Sequence, residues 1–186
     1  LRRLCLRCCR AALDAAGPSA LGRRRALLTL VRDDLCHALL RTARAAGGPL
    51  GVLSEALGAM RCLWGLCRRH LKAQFQALFN GVFLRALAQL KAEAGDDQPP
   101  SGPNPDADPA GGPTYSPAER EAVLEALCDF LAEPSLLPDL YLNYDCDLQS
   151  ADLLEAVVAG LSAGARAAPA GCPAAALCLE ALLEAA

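Results

Sequence analysis

The chain has 186 residues, of which 53% are hydrophobic, and its 18 basic and 21 acidic residues give a net charge of −3. This length and apolar content suffice for one sizeable core or two small ones. The nearly balanced charge excludes a general attraction to nucleic acid or to anionic lipid, so no nucleic-acid partner is expected.

The two ends of the chain suggest a piece of a longer protein. The sequence opens with Leu1 instead of Met, and it stops at Ala186 inside a helix-forming run. No uninterrupted apolar run approaches the roughly 20 residues that cross a membrane, and no signal segment is visible.

Helical spacing of apolar residues runs through almost the whole chain, and no stretch alternates as strands do. The sequence therefore predicts an all-α fold. Seven or eight helices with short connections favour stacked helical hairpins, as in an armadillo or HEAT-like array, with an irregular bundle as the alternative. The predicted helices are 1–16, 20–46 with a break at Asp33-Asp34, 50–67, 71–93, 116–133, one following residue 150, and one from Pro173.

The face assignments follow from the same spacing. In the first helix, Leu1, Leu4, Cys5, Cys8 and Leu13 share one face, which predicts that they point into the core. Gly17-Pro18 is expected to end that helix. Residues 95–115 hold six prolines and four glycines, so they are predicted to form a disordered insertion within a single domain spanning 1–186.

Ser116-Pro117-Ala118-Glu119 marks a helix start, with a Ser cap, a Pro in the first turn and a Glu that completes a capping box. The helix that it opens is expected to end at Glu133-Pro134, and a Leu-rich turn follows over residues 135–140.

The ten cysteines sit mostly on apolar helical positions, which favours reduced, buried thiols over disulfides. Two clusters also offer the spacing of zinc ligands, Cys5-x-x-Cys8-Cys9 and Cys62-x4-Cys67-x-x-His70, but both fall in helices and not in turns. No catalytic set, metal site or cofactor site is predicted. A thiol-metal protein stays open as a third hypothesis.

A five-residue motif that follows the Leu-rich turn is more specific than the helices around it. Its sequence is Asn143-Tyr144-Asp145-Cys146-Asp147. Two interpretations are compatible. The motif can form a rigid corner, with Asn143 and Asp145 bonding backbone N–H groups, Asp147 or Ser150 capping the next helix, and Tyr144 and Cys146 packed. It can also present its side chains to another domain.

A second candidate surface is the basic joint before the long helix at 71–93. Arg68, Arg69, His70 and Lys72 can contact phosphates or an acidic partner. Cations at a solvated helix end explain the same residues equally well.

The sequence Asn143-Tyr144-Asp145-Cys146-Asp147 resembles the signature box of the HUS region, the homology upstream of the exchange domain in large Golgi and endosomal Arf guanine-nucleotide exchange factors. Two further stretches agree, Leu71-Lys72-Ala73-Gln74-Phe75 after the basic joint and Leu4-Cys5 near the start. Val31-Arg32-Asp33-Asp34-Leu35-Cys36 looks more like the GBF and GNOM branch than the BIG branch. Asp152 and Leu154 depart from the family, which usually has Asn and Phe there.

The resemblance implies a noncatalytic regulatory domain of a protein that acts on Arf GTPases in vesicle-mediated transport through a separate exchange domain. It also implies docking to a more N-terminal dimerisation domain through residues 143–147, possible contact with Arf or Rab GTPases, and a cytoplasmic location on Golgi or endosomal membranes. The alternative hypothesis is a free-standing α-solenoid adaptor that binds other proteins.

Overall fold

The computed structural model describes residues 1–93, 114–167 and 173–185, with the backbone alone for residues 18–23 and 93. Every regular element in these ranges is a helix or a helical turn, so the predicted all-α class is confirmed. The chain divides into two compact units, Leu1–Val82 and Phe83–Ala186. Most of the predicted insertion, residues 95–113, lies outside the described residues.

The first unit is built on the helix α4, against which both α1 and α3 pack. Its joint at Arg68–His70 is a 3-10 turn, as the short basic joint in the sequence predicted. The helices of this unit are α1 (Arg2–Arg23), α2 (Arg25–Leu30), α3 (Cys36–Arg44), α4 (Leu50–Cys67) and α5 (Lys72–Leu78).

One predicted helix limit in this unit is confirmed and another is wrong. The helical backbone of α1 is interrupted at Gly17, whose φ of 68° and ψ of 170° are not helical, so the first predicted helix ends there and a second helical stretch follows to Arg23. A further break at Arg24, whose backbone is extended, was not predicted. At Asp33-Asp34 no new helix starts, because a π-helical turn at Val31–Leu35 joins α2 to α3.

The face of α1 that packs against α4 is charged, so the predicted inward face is wrong. Of the five residues assigned to it, only Leu13 is buried. The charged residues Arg3, Arg7, Arg10 and Asp14 lie instead over Gly51, Glu55, Gly58 and Cys62 of α4, with the same spacing of four, three and four residues in both helices.

By length and composition helix α4 could cross a membrane, since an 18-residue stretch within Leu50–His70 has a mean hydropathy of 1.3, but half of that stretch is buried inside the protein. Its Trp64 is 2% exposed and meets the Phe75 ring edge-on at 4.7 Å. Glu55 is buried in an ion-pair cluster on the same helix. These contacts are those of a core helix.

The second unit packs α9 against both α6 and α10, and α10 also against α7. A π-helical segment, Phe79–Leu84, contains the division between the units. The predicted Leu-rich turn at 135–140 is a short helix, because Leu136 and Leu140 are one turn apart and both are buried. The helices of this unit are α6 (Arg85–Glu93), α7 (Pro117–Leu131), α8 (Leu136–Leu140), α9 (Leu153–Ala167) and α10 (Pro173–Glu184).

Helix α7 begins as predicted, with the Ser116 side chain accepting from Glu119 N at 3.3 Å and Glu119 accepting from Ser116 N at 2.8 Å. Tyr115 corrects the insertion boundary, since it is 2% exposed. The Arg85 guanidinium lies 5.0 Å from the centre of the Tyr115 ring, and the backbone N–H of Tyr115 donates to Gln89 Oε1 at 3.1 Å. The chain is therefore already packed in the second unit at Tyr115, one residue before the capping box.

The cysteines are less uniformly buried than the sequence predicted. Cys36, Cys67 and Cys178 are buried, but Cys5, Cys8 and Cys146 are exposed. Burial raises the pKa of Cys36 to about 12 and that of Cys67 to about 11. All described cysteines are free thiols.

Candidate interaction site

The segment from α8 to the start of α9 forms a rigid corner. A π-helical turn, Tyr141–Asp145, extends α8, and Cys146 N closes it by donating to Tyr141 O at 2.9 Å. Asp147 N donates to Tyr144 O at 3.0 Å, and Ser150 N donates to Asp147 O at 2.9 Å. Three successive backbone turns thus determine the path of the chain.

Asp145 is the residue that joins the two sides of the corner. Its Oδ1 accepts from Leu154 N at 3.0 Å and its Oδ2 from Glu155 N at 3.2 Å. These are donors of the first turn of α9 that the helix itself leaves unpaired, and a carboxylate there also favours the helix dipole. The predicted caps, Asp147 and Ser150, do not hold this position.

The other polar residues of the motif stabilise the corner locally. Asp147 accepts from Gln149 N and from the Ser150 hydroxyl, each at 3.0 Å. The Asn143 side chain donates to Asp139 O at 2.9 Å, so it binds a carbonyl and not the predicted N–H group. Tyr144 is 2% exposed and packs as predicted, and burial raises its pKa.

The outer surface of the corner is mainly apolar. Tyr141 is 54% exposed, Leu142 65% and Leu148 fully exposed. Cys146, predicted to pack, is exposed as well, and its hydrogen bond with the Tyr141 hydroxyl raises the pKa of Tyr141. These four residues, here called the corner patch, are Tyr141, Leu142, Cys146 and Leu148.

The sequence prediction missed Tyr141, Leu142 and Leu148 because it assigned function to the polar residues of the motif. A signal was present. Leu136, Leu140 and Tyr144 are four residues apart and all buried. If the helical spacing continues through the motif, residues 141 and 142 point outward.

The basic joint brings its four predicted residues together at the start of α5. Arg69 and His70 are exposed, and Arg68 and Lys72 are half-buried. Gly65, Leu66 and Cys67 complete the lining of a surface hollow of about 290 Å³ beside residues 68–70. Contact of this hollow with a phosphate or an acidic partner stays a prediction.

The two cysteine clusters do not converge on a metal site in the part of the chain that the structure describes, where no three His, Cys, Asp or Glu side chains are grouped to hold an ion. The Cys62 thiol instead donates to Asp14 at 2.9 Å, and Cys67 donates to Leu63 O at 3.4 Å. Elemental analysis for zinc remains the test of the thiol-metal hypothesis.

Helices stacked within each unit, with a hydrogen-bonded corner before α9, place the chain among all-helical array domains. The family description "Mon2/Sec7/BIG1-like, HUS domain" matches residues 2–153, a range that includes the whole corner. The chain belongs to this family, and the resemblance drawn from the sequence is confirmed.

Relatives with curated descriptions agree with this assignment. The ARF guanine-nucleotide exchange factor GNOM of Arabidopsis thaliana is 30% identical over 89% of this chain and 10% of its own length. GNL2 of the same species is 28% identical over 77% of the chain and 8% of its own length. Brefeldin A-inhibited guanine nucleotide-exchange protein 1 of Bos taurus is 26% identical over 81% of the chain and 7% of its own length.

The higher identity to the GNOM-type relatives agrees with the predicted branch. The chain spans a tenth or less of the length of these relatives. No solved structure matches it significantly.

Proposed function

We propose that this chain is a noncatalytic regulatory and protein-interaction domain of a large Arf guanine-nucleotide exchange factor that acts in vesicle-mediated transport. The corner is the main support for the proposal. Its polar side chains form hydrogen bonds within the corner, and they leave Tyr141, Leu142 and Leu148 exposed to solvent. Exposed apolar groups on a rigid support are typical of binding surfaces. The family match supports the parent class, since the relatives are named as exchange factors.

The partner of the corner patch, on this proposal, is the more N-terminal dimerisation domain of the same protein. Tyr141, Leu142 and Leu148 supply the contact, and Asp145 is a positioning residue that acts through α9. The exchange domain, the Arf or Rab partner and the attachment to Golgi or endosomal membranes belong to the parent protein.

The test is calorimetric binding of this chain to the N-terminal domain of its parent. Leu148→Glu removes a fully exposed apolar side chain, so we expect at least about a tenfold loss of affinity without loss of folding. Leu30→Glu is the matched control, because Leu30 is 54% exposed but lies in α2. Equal affinities of the two variants and the unaltered chain would refute docking through the corner.

The basic joint has its own test in the same assay. Reversal of the exposed charge by Arg69→Glu is expected to weaken binding only if the N-terminal domain presents carboxylates to this hollow. Arg25→Glu changes an exposed charge elsewhere in the first unit and is the control.

The alternative, a free-standing adaptor, predicts a different gene. The parent transcript, translated beyond the codon for Ala186, would contain an all-helical exchange domain under the main proposal. An unrelated downstream sequence would favour the adaptor.

A further inference from the structure

Ser116 and Pro117, at the start of α7, form the only Ser-Pro or Thr-Pro dipeptide in the sequence. Protein kinases of the proline-directed class transfer phosphate to a serine or threonine that a proline follows directly. Because so short a pattern is common in proteins, its conformation and its exposure in the fold decide whether it can react.

The backbone at Ser116 is extended, as a kinase requires of the residue that it modifies. Its φ is −64° and its ψ is 159°, because the proline that follows disfavours the helical region for the residue before it. Thr114, Ser116, Pro117 and Ala118 are all exposed. The Ser116 side chain is therefore accessible in the folded chain.

The hydroxyl of Ser116 keeps the proton that a kinase must remove. Its oxygen accepts a hydrogen bond from Glu119 N at 3.3 Å, which occupies a lone pair and not the O–H group. At this length the bond is weak, so the oxygen can leave it to attack a phosphorus atom.

We propose that Ser116 is a phosphorylation site for a proline-directed serine/threonine kinase. Ser116 Oγ attacks the γ-phosphorus of the MgATP that the kinase supplies, and the hydroxyl proton passes to the catalytic base of the kinase. The bond between the γ-phosphorus and the β,γ-bridging oxygen breaks, and ADP leaves. The site includes neither the corner patch nor the basic joint, so the proposal is independent of the proposed function.

The charges around Ser116 determine what the phosphate does to α7. A helix N-terminus carries the equivalent of roughly +0.5 charge, which the Glu119 carboxylate already exceeds. Glu119 is 3% exposed and accepts from Ser116 N at 2.8 Å, so it cannot turn toward water while the capping box is intact. A phosphoserine brings a further charge of about −1.5 to −2 into the same turn at pH 7.

The neighbouring cations do not offset this repulsion. Arg120 is 6% exposed, so a phosphate on the exposed Ser116 could pair with it only after losing its own hydration. Arg85 lies over the Tyr115 ring and would have to leave that ring to reach the phosphate. Phosphorylation therefore opens the capping box and loosens the first turn of α7, next to the buried Tyr115.

Treatment of the folded chain with a proline-directed cyclin-dependent kinase and MgATP tests the site. Peptide mapping by mass spectrometry should find one phosphate per chain, on Ser116. Pro117→Ala keeps the hydroxyl and places a good helix former at the start of α7, and it should slow labelling at least about tenfold. Ser135→Ala, at a serine followed by leucine, is the matched control and should be labelled like the unaltered chain.

Three results would overturn the site: a folded chain that takes up no phosphate, a phosphate on another residue, or Pro117→Ala labelled at the full rate. Circular dichroism of each variant shows whether it is folded, so that a loss of labelling can be assigned to the dipeptide.

Hydrogen exchange of the phosphorylated chain tests the effect on α7. Peptides that cover residues 114–122 should exchange at least about fivefold faster than in the unmodified chain, and those from α9 should not change. Glu119→Gln keeps an acceptor for the capping box but removes its charge, so phosphorylation of this variant should not speed exchange. Exchange that is unchanged or slower in the phosphorylated unaltered chain, or equally faster in Glu119→Gln, would refute the repulsion from Glu119.

Discussion

The polar side chains of the 143–147 motif stabilise the corner itself, although their polarity suggested a surface for a partner. Tyr144 packs in the core, and Asp145 holds the first turn of α9, nine residues further along the chain. The sequence predicted a rigid corner, and the structure contains one. It could not predict which carboxylate caps the helix, because the choice depends on how the π-helical turn folds back toward residue 154.

Loss of the Asp145 carboxylate should destabilise the second unit. Asp145→Ala leaves two N–H groups of α9 without their acceptor, so we expect the free energy of unfolding to fall by about 1–2 kcal/mol. Glu125→Ala is the control, since Glu125 is an exposed carboxylate of the second unit that lies on α7 and not at the start of α9. Urea unfolding followed by circular dichroism measures both, and an equal loss in the two variants would contradict the capping role.

The thiols should separate into two reactivity classes. At pH 8 the thiolate fraction of Cys36, whose pKa is raised to about 12 from an ordinary value near 9, is about a thousandfold below that of an unperturbed cysteine. Exposed Cys5, Cys8 and Cys146 should alkylate quickly in the native protein, and Cys36 and Cys67 only after unfolding. Peptide mapping by mass spectrometry after a short iodoacetamide pulse checks this, and rapid native labelling of Cys36 would contradict it.

At the scale of elements, the contact between α1 and α4 is two matched stripes. An alanine Cβ at Gly58 would lie 2.9 Å from Arg10 Nη1, and one at Gly51 would lie 3.2 Å from Arg3, so small residues on α4 make room for guanidinium groups. Glu55, between these glycines, forms an ion pair with Arg7 at 2.8 Å. The contact is a row of charges around one buried carboxylate, and not an apolar seam.

Removal of that carboxylate should loosen α1. Glu55→Ala leaves three arginines without their shared partner, and we expect a loss of about 1–3 kcal/mol. The loss stays below that of a fully buried pair because the arginines can turn to water. Urea unfolding followed by the fluorescence of Trp64, which lies on α4, reports it. Glu125→Ala on the exposed side of α7 is the control, and equal stability of both variants would show that α1 is held by other contacts.

The same contact shows why α1 was oriented wrongly from the sequence. Apolar spacing predicts the buried face of a helix correctly only where the charged residues of that helix have no buried partner. In α1 the arginines find a buried carboxylate 48 positions away from Arg7, and a pairing at that separation has no local signal. Helix α7, by contrast, was predicted correctly at its start because Ser116, Pro117 and Glu119 act within one turn.

For the whole molecule, composition predicted the helical class, and the family resemblance rested on short motifs, but the spatial arrangement of surfaces required the structure. Residues 95–115 illustrate what composition predicts and what it does not. Their proline and glycine content predicts little burial, yet Tyr115, at the end of that range, is a core residue of the second unit. One aromatic residue at the edge of a polar segment is too short a pattern to reveal its partners.

Replacing residues 96–112 with a Gly/Ser linker of half that length should leave the second unit nearly as stable. Both flanking helices, α6 and α7, belong to this unit, and halving the length of a connection changes its closure free energy by only about 0.6 kcal/mol. Tyr115→Ala in the unaltered chain should cost about 3 kcal/mol, because a buried ring that packs under the Arg85 guanidinium is lost. Urea unfolding by circular dichroism compares the two. A linker variant as unstable as Tyr115→Ala would mean that residues 96–112 stabilise the fold themselves, whereas the expected ranking means that the stabilising contribution begins at Tyr115.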